Sequence, residues 1–275
     1  MDSLVTAEWL AAHLDAVQVV DASFFLPDTG ISAAEHFSTG HIPNAHRLDV
    51  ASFADPDASA PHMLPDHSTG CAMLADLGLD RDRPVVVYDD APHHTAARGW
   101  FTLRHYGAAH VAILDGGLAG WKAAGGTLET GDPTPKTGLW PTGQTAFEIV
   151  TKDGLLGESG APVLDARSRE RFEGGSPEPR PGLAAGHIPG ARNLPYATLY
   201  DADGRFLPDE ALARRFAANG VELADGFVAS CGSGVTACAI LFAAHRLGHE
   251  GRLYDGSWAE WGADPDLPKE TGAAR

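Results

Sequence analysis

The chain repeats itself at long range, and this repeat constrains the fold more than any other feature of the sequence. Four segments of the first half recur in the same order in the second half. The matched pairs are 17–26 with 161–172, 40–48 with 186–194, 84–90 with 226–232, and 111–121 with 251–261. Such a long period excludes a solenoid, so the sequence predicts two homologous domains. We expect them at 1–128 and 146–275, joined by a Pro-, Gly- and Thr-rich linker at 129–145.

Within each half, short apolar segments alternate with helical patterns. The segments "APVLDA" (161–166) and "GFVAS" (226–230) are bounded by turn residues, which is typical of buried parallel strands. The segment 208–220 has proline near its start and glycine at its end, and the apolar segment 236–248 ends on glycine, so both predict helices. The predicted fold class is α/β, with each domain a mostly parallel sheet flanked by helices on both faces.

The segment "ASCGSGVTACAI" (229–240) places Cys231 between a predicted strand and a predicted helix. The carboxyl ends of parallel strands are where open α/β sheets carry their sites. Gly232 and Gly234 allow a tight bend whose amide groups can hold an anion. We therefore interpret Cys231 as a nucleophile that reacts as a thiolate. The other two cysteines, Cys71 and Cys238, lie in helical patterns and are interpreted as packing residues.

Other cysteine chemistries fit this segment poorly. A phosphatase of the C-x5-R type needs an arginine where this chain has Ala237. The spacing from Cys231 to the next cysteine is not the C-x-x-C of a thioredoxin-like site. No cysteine pair has the spacing of zinc ligands, so we expect neither a metal nor a cofactor.

The composition limits the partners and the compartment. A formal net charge of −17 disfavours nucleic acids and anionic membrane surfaces. The sequence has no apolar run long enough to span a membrane and no signal-peptide pattern at its start. Three irregularly spaced cysteines do not form a disulfide framework. We expect a soluble cytoplasmic protein with no nucleic-acid and no membrane partner.

Several motifs together resemble the two-domain rhodanese-like sulfurtransferase family over nearly the whole chain. They are "CGSGVT", the two "GHIP" segments, "DGGLAGW", "YDGSWAEW", "PHMLPD" and "ERFEGGSPEPR". The resemblance implies that Cys231 accepts sulfur from a small-molecule donor as a persulfide and passes it to a thiol, a thioredoxin or cyanide. It also implies that the first domain, which has Asp89 in the position of Cys231, is catalytically silent and helps to cover the active loop.

The resemblance also implies which residues bind the substrate. Arg171 and Arg180 match the arginines that hold the carboxylate and the ketone of the donor, a role that suits planar guanidinium groups. Arg167 and Arg169 lie close enough in the sequence to be confused with Arg171. The remaining binding positions implied are the loop residues Gly232, Gly234, Val235 and Thr236.

A proton relay is the third implication of the resemblance. Ser233 offers a hydroxyl for the departing enolate, and His41 matches the histidine that the family couples to this serine. The acid partner falls at Ser32, so either Asp28 or Glu35 replaces it or the relay is absent. The two "GHIP" copies leave open a shared structural role for His41 and its counterpart in the second half.

The donor is predicted from the charge of the loop. Thiosulfate sulfurtransferases carry basic residues after the cysteine, whereas this chain has the neutral Gly232 and Ser233. The resemblance therefore favours 3-mercaptopyruvate as donor, with pyruvate as the leaving product. A thiosulfate:cyanide sulfurtransferase and a sulfur carrier or regulatory module without turnover remain the alternatives.

Overall fold

The computed structural model describes residues 1–26, 29–132, 137–143, 145, 147–157 and 161–274. The chain forms two compact units. Unit 1 comprises Met1–Asp55, Leu64–Ala146 and Ala202–Phe206, and unit 2 comprises Pro56–Met63, Phe147–Asp201 and Leu207–Arg275. Each unit thus includes one short segment from the opposite half of the sequence. The domain boundaries given above stay a prediction.

Unit 1 contains a five-stranded parallel sheet in the order β1-β5-β4-β2-β3. The strands are β1 Leu4–Val5, β2 Gln18–Asp21, β3 Ala45–Arg47, β4 Val85–Tyr88 and β5 Val111–Leu114. The helices are α1 Ala7–His13, α2 Ala33–Thr39, α3 His67–Asp76, α4 Ala96–His105 and α5 Gly117–Ala123. The three inner strands are buried along their whole length, because helices cover the sheet.

Alternate side chains of β4 face opposite sides of the sheet of unit 1. Val86 and Tyr88 belong to an apolar cluster with residues of α1, α2 and α5. Val87 faces the other side, where α4 approaches so closely that a Cβ on Gly99 would lie 2.8 Å from the Val87 side chain. Helices therefore flank both faces of this sheet, as the sequence predicts.

Unit 2 repeats the arrangement, with strand order β6-β10-β9-β7-β8 and parallel pairing throughout. The strands are β6 Ile149–Val150, β7 Val163–Asp165, β8 Arg192–Asn193, β9 Val228–Ser230 and β10 Arg252–Tyr254. The helices are α6 Lys152–Gly157, α7 Arg169–Phe172, α8 Asp209–Ala218, α9 Ala237–Arg246 and α10 Ser257–Trp261. The two helices predicted at 208–220 and 236–248 are confirmed as α8 and α9.

The core of unit 2 is built as in unit 1. One apolar cluster joins Val228 and Tyr254 of the sheet with Phe172 of α7 and Trp258 of α10. The helix α9 is apolar and mostly buried, and it packs against β9, β10 and α8. Among the described residues, no helix is both long enough and apolar enough to cross a bilayer.

Candidate active site

Cys231 lies directly after β9, the central strand of the sheet of unit 2. The six residues 231–236, which we call the cysteine loop, connect β9 to α9. Gly234 has φ +76°, a left-handed conformation that glycine adopts without strain. Thr236 precedes the first residue of α9, and Cys231, Ser233 and Val235 are buried. The sequence therefore predicted the position of this loop correctly.

The start of α10 holds the cysteine loop in place. The backbone amides of Trp258 and Ala259 donate to the carbonyl oxygens of Cys231 and Gly232, at 3.0 and 2.9 Å. The hydroxyl of Ser257 accepts from the amides of Cys231 and Gly234, at 3.1 and 3.0 Å, and donates to Tyr254 O at 2.8 Å. Ser257 is fully buried and has φ +51°. Its hydroxyl therefore makes three hydrogen bonds that fix both ends of the bend.

These bonds divide the amides of the loop into two sets. The amides of Cys231 and Gly234 are used by Ser257 and are not available to a ligand. Among the described residues, no protein acceptor takes the amides of Gly232, Ser233, Val235 and Thr236. Amides of a bend that lack acceptors are suited to an anion. Four loop amides, rather than all of them, thus remain for a negatively charged group.

Arg171 lies against the cysteine loop. A Cβ built on Gly232 would be 3.0 Å from Nη2 of Arg171, so the guanidinium group covers this glycine. Of the neighbouring arginines, Arg167 is buried in ion pairs with Asp165 and a second carboxylate, and Arg169 is exposed. Arg171 is therefore the arginine of its segment that faces the loop.

Arg180 is the second cation near the cysteine. Burial lowers the pKa of Arg180. The charge that Cys231 carries as a thiolate raises this pKa, the like charge of Arg171 lowers it, and the opposite charge of Glu178 raises it again. The guanidinium group of Arg180 therefore lies within the electrostatic influence of the cysteine loop and of the Arg171–Glu178 pair. Within the described part of the chain, Arg180 has no carboxylate partner and no hydrogen-bond acceptor. A partly buried, unpaired guanidinium group beside a cysteine is suited to binding an anionic ligand.

Ser233 is contacted by a histidine that we did not predict from the sequence. His62 belongs to the segment Pro56–Met63 of unit 2, and its Nδ1 lies 3.1 Å from the Ser233 hydroxyl oxygen. Both side chains are buried. His62 has φ +67°, which is uncommon for a residue with a side chain. A hydroxyl paired with an imidazole is an arrangement that can move a proton.

His41 occupies a different environment, in unit 1. Its Nδ1 donates to Phe37 O at 3.0 Å, and its ring stacks on the Phe37 ring at 4.0 Å. Its counterpart His187 makes the same two contacts with Phe172, at 2.9 and 3.8 Å. The shared geometry favours a structural role for both histidines. The ring that is bonded to the Ser233 hydroxyl belongs to His62. A role of His41 in the proton relay stays a prediction.

The predicted acid partner of His41 is not identified. Ser32 caps α2 by accepting from the amide of Glu35 at 3.3 Å, so this serine has a structural use. The side chain of Glu35 has no bond to the ring of His41 among the described contacts. Asp28 lies outside the described residues.

Unit 1 carries Asp89 at the position that Cys231 occupies in unit 2. The side chain is buried and accepts a hydrogen bond of 2.5 Å from the amide of Ala96, the first residue of α4. Burial raises the pKa of Asp89 to about 7. A carboxyl group cannot form a persulfide, and this loop has no thiol at the position that corresponds to Cys231.

Comparison with known proteins identifies the family. The rhodanese-like domain model matches residues 6–124 and 152–264. The 3-mercaptopyruvate sulfurtransferase of Escherichia coli is 40% identical over 97% of this chain and 97% of its own. A probable 3-mercaptopyruvate sulfurtransferase of Pseudomonas aeruginosa is 42% identical over 98% of each chain.

A solved structure agrees with the sequence relatives. SseA from Escherichia coli, described with the rhodanese fold and the catalytic mechanism of 3-mercaptopyruvate sulfotransferases, superposes with a TM-score of 0.85 at 34% identity. The superposition covers 94% of this chain and 100% of the other. Both the predicted fold class and the predicted family are confirmed. With one matched domain in each half, the chain belongs to the two-domain rhodanese-like sulfurtransferase family.

Proposed function

We propose that this protein is a 3-mercaptopyruvate sulfurtransferase that uses Cys231 as nucleophile. The observation that carries the proposal is the convergence of three groups on the cysteine loop. Arg171 covers Gly232, and the Ser233 hydroxyl is bonded to His62. Arg180 interacts electrostatically with Cys231 in its thiolate form. A thiol, two cations and a proton-transfer pair are the groups that an α-keto acid with a thiol substituent requires.

The first half-reaction transfers one sulfur atom. The guanidinium groups of Arg171 and Arg180 bind the carboxylate and the ketone oxygen of the donor. The thiolate of Cys231 attacks the thiol sulfur of 3-mercaptopyruvate, so that an S–S bond forms and the C–S bond breaks. The electron pair of the broken bond remains on carbon as the enolate of pyruvate. Protonation of that carbon gives pyruvate and leaves a persulfide on Cys231.

Two features of the loop support this step. The pair of Ser233 and His62 supplies the proton, because the serine hydroxyl lies in the same loop as the cysteine and is bonded to a titratable ring. The unused amides of the loop stabilise the negative charge of the outer persulfide sulfur. The amides of Gly232 and Ser233 follow the nucleophile directly and are the first candidates for this role.

The second half-reaction returns the thiolate of Cys231. A thiol, a thioredoxin or cyanide attacks the outer sulfur, takes it and releases the cysteine. Because the enzyme is modified between the two steps, the kinetics are expected to be ping-pong. The first domain contributes no second sulfur site, since Asp89 replaces the cysteine there.

The proposal is tested by comparing two donors on the purified protein. We expect pyruvate release from 3-mercaptopyruvate with a higher kcat/KM than sulfite release from thiosulfate, each measured with cyanide and with reduced thioredoxin as acceptor. Preference for thiosulfate would transfer the assignment to the thiosulfate:cyanide reaction. Failure to release pyruvate from an intact, folded protein would instead favour a sulfur carrier.

One observation favours thiosulfate as a secondary donor. A relative from Arabidopsis thaliana, 36% identical over 98% of this chain, is named a thiosulfate/3-mercaptopyruvate sulfurtransferase. The unpaired guanidinium group of Arg180 suits a sulfonate oxygen as well as a carboxylate. We therefore expect measurable but lower turnover of thiosulfate.

A further inference from the structure

A chain of four alternating charges runs from the core of unit 2 to the cysteine loop. Asp165 is bound by Arg167 through Nε at 3.0 Å and through Nη2 at 2.6 Å. Arg167 then donates from Nη1 to Glu178 Oε1 at 2.7 Å. Glu178 in turn binds Arg171, with Nε 3.3 Å from Oε1 and Nη2 2.5 Å from Oε2. Glu178 thus lies between an arginine of the core and an arginine of the site.

The inner half of this chain of charges is buried and held by several contacts. The side chain of Arg167 is fully buried, donates to Gly186 O at 2.9 Å and stacks over the ring of Trp258 at 4.6 Å. The side chain of Glu178 is 2% exposed, so its carboxylate is shielded from solvent. A buried carboxylate that bridges two guanidinium groups keeps its position, because moving it would leave unpaired charges in the interior.

The outer half sets the charge next to the cysteine. Glu178 binds Arg171 with both carboxylate oxygens and neutralises it, but leaves Nη1 of Arg171 available to a ligand. Arg180 makes no such ion pair within the described part of the chain, although the charge of Glu178 also acts on it at longer range. In this cluster two carboxylates, Asp165 and Glu178, face three guanidinium groups. Leaving aside the Cys231 thiolate, the net charge of these five groups is therefore one positive unit, although two arginines approach the cysteine loop.

We propose that Glu178 determines the donor selectivity of the site by neutralising Arg171, so that the pocket prefers monoanionic over dianionic donors. This inference rests on the proposed function. 3-Mercaptopyruvate carries one negative charge at its carboxylate, whereas thiosulfate carries two. A pocket with one uncompensated positive charge matches the single negative charge of 3-mercaptopyruvate. Arg171 can still donate hydrogen bonds that orient this donor, but it supplies no second positive charge for the dianion thiosulfate.

The variant Glu178→Gln tests the role of this charge. Glutamine keeps an oxygen that can accept from an arginine but leaves Arg171 uncompensated. One additional positive charge at close range attracts a dianion about twice as strongly as a monoanion. We expect the ratio of kcat/KM for thiosulfate to kcat/KM for 3-mercaptopyruvate to rise by about tenfold or more. The change should appear mainly in the KM values.

Two matched variants separate charge from general disruption. Glu173→Gln removes the same charge from the same segment, but Glu173 is paired with the exposed Arg169 at 3.8 Å. Glu178→Asp keeps the charge and shortens the side chain. We expect neither variant to change the donor ratio by more than about twofold, even where both rates fall. An unchanged ratio in a folded Glu178→Gln protein, or an equal rise in Glu173→Gln, would overturn the proposal.

A measurement on the unmodified protein covers the case in which Glu178→Gln does not fold. Sulfate is a dianion and pyruvate a monoanion, and both compete with the donor for the arginines. We expect sulfate to inhibit no more strongly than pyruvate, and inhibition by sulfate that is tenfold stronger would contradict the inference. If the unmodified protein releases no pyruvate from 3-mercaptopyruvate, the proposed function itself has failed, which is a different result from an unchanged donor ratio.

Discussion

Replacement of Ser257 by alanine tests how the cysteine loop is held. The hydroxyl of Ser257 accepts from the amides of Cys231 and Gly234 and donates to Tyr254 O, with all three distances between 2.8 and 3.1 Å. The serine is fully buried, so water cannot replace the lost oxygen without entering the core. Each buried amide left without an acceptor costs about 1–3 kcal/mol. Ser257→Ala should therefore lower the free energy of unfolding by about 2–6 kcal/mol.

Ser230 provides a matched control in the same part of unit 2. Its hydroxyl is also buried, but it has no hydrogen-bond partner among the described residues. Removing an unpaired buried hydroxyl relieves a desolvation cost, so Ser230→Ala should be neutral or stabilising by up to about 1 kcal/mol.

Urea denaturation, followed by circular dichroism, measures both variants under identical conditions. The slopes of the two transitions should agree with that of the unmodified protein, so that the midpoints report stability alone. If Ser257→Ala and Ser230→Ala differ by less than about 0.5 kcal/mol, the hydroxyl of Ser257 does not hold the loop as its geometry indicates.

Three further predictions concern the proton relay, the anion pocket and unit 1. His62→Ala should lower kcat by about 100-fold or more and alter the pH profile, because the hydroxyl of Ser233 loses its titratable partner; a larger loss of kcat in His41→Ala would contradict this assignment. Arg180→Gln should raise the KM for 3-mercaptopyruvate by about 10–100-fold and weaken inhibition by pyruvate in parallel, since a charge-assisted hydrogen bond contributes about 1.5–3 kcal/mol; an unchanged KM would exclude this arginine from binding. Burial raises the pKa of Asp89 to about 7, so its neutral form is favoured in the folded state and stability is lost as the pH rises through that value. As the pH rises from about 5 to about 8, the stability of Asp89→Asn relative to the unmodified protein should therefore increase by roughly 2–3 kcal/mol. A stability difference independent of pH would contradict the buried neutral carboxyl.

The fold was largely predictable because the repeat and the strand patterns are properties of local sequence. In both sheets the first strand of the unit lies at one edge. The central strand, β4 or β9, is followed in the sequence by a ten-residue helix, α4 or α9. The strand β4 is apolar throughout and β9 is apolar except for Ser230, as is typical of parallel strands covered on two faces. Length, composition and turn residues were enough to place β7, β9, α8 and α9 in the second half of the chain.

The site was predictable only in part, since some of its residues meet through tertiary structure alone. Cys231 was identified because its glycine-containing loop is a local pattern. His62 was not, because it is separated from Ser233 by 171 residues and lies in a segment without regular structure. The motif "PHMLPD", which contains His62, is part of the family resemblance, but nothing in the motif itself assigns a role to this histidine. The family resemblance assigned the relay histidine to His41, whose ring donates to Phe37 O in the structure.

The roles of Ser257 and Glu178 were likewise invisible in the sequence. Serine in "YDGSW" is an ordinary turn residue by composition, and only its three bonds show that it fixes the loop. Glutamate in "SPEPR" is by composition a surface residue, yet its side chain is buried between Arg167 and Arg171. Burial and pairing of charges depend on the packing of distant segments, which periodicity does not encode.

The central claim is that Cys231 carries sulfur as a persulfide, and intact-protein mass spectrometry tests it most directly. The protein is treated with 3-mercaptopyruvate without an acceptor, and the modified residue is located by peptide mapping. We predict the gain of one sulfur atom on Cys231, release of an equal amount of pyruvate, and loss of both in Cys231→Ser. No added sulfur, or sulfur found on Cys71 or Cys238 instead, would contradict the assignment.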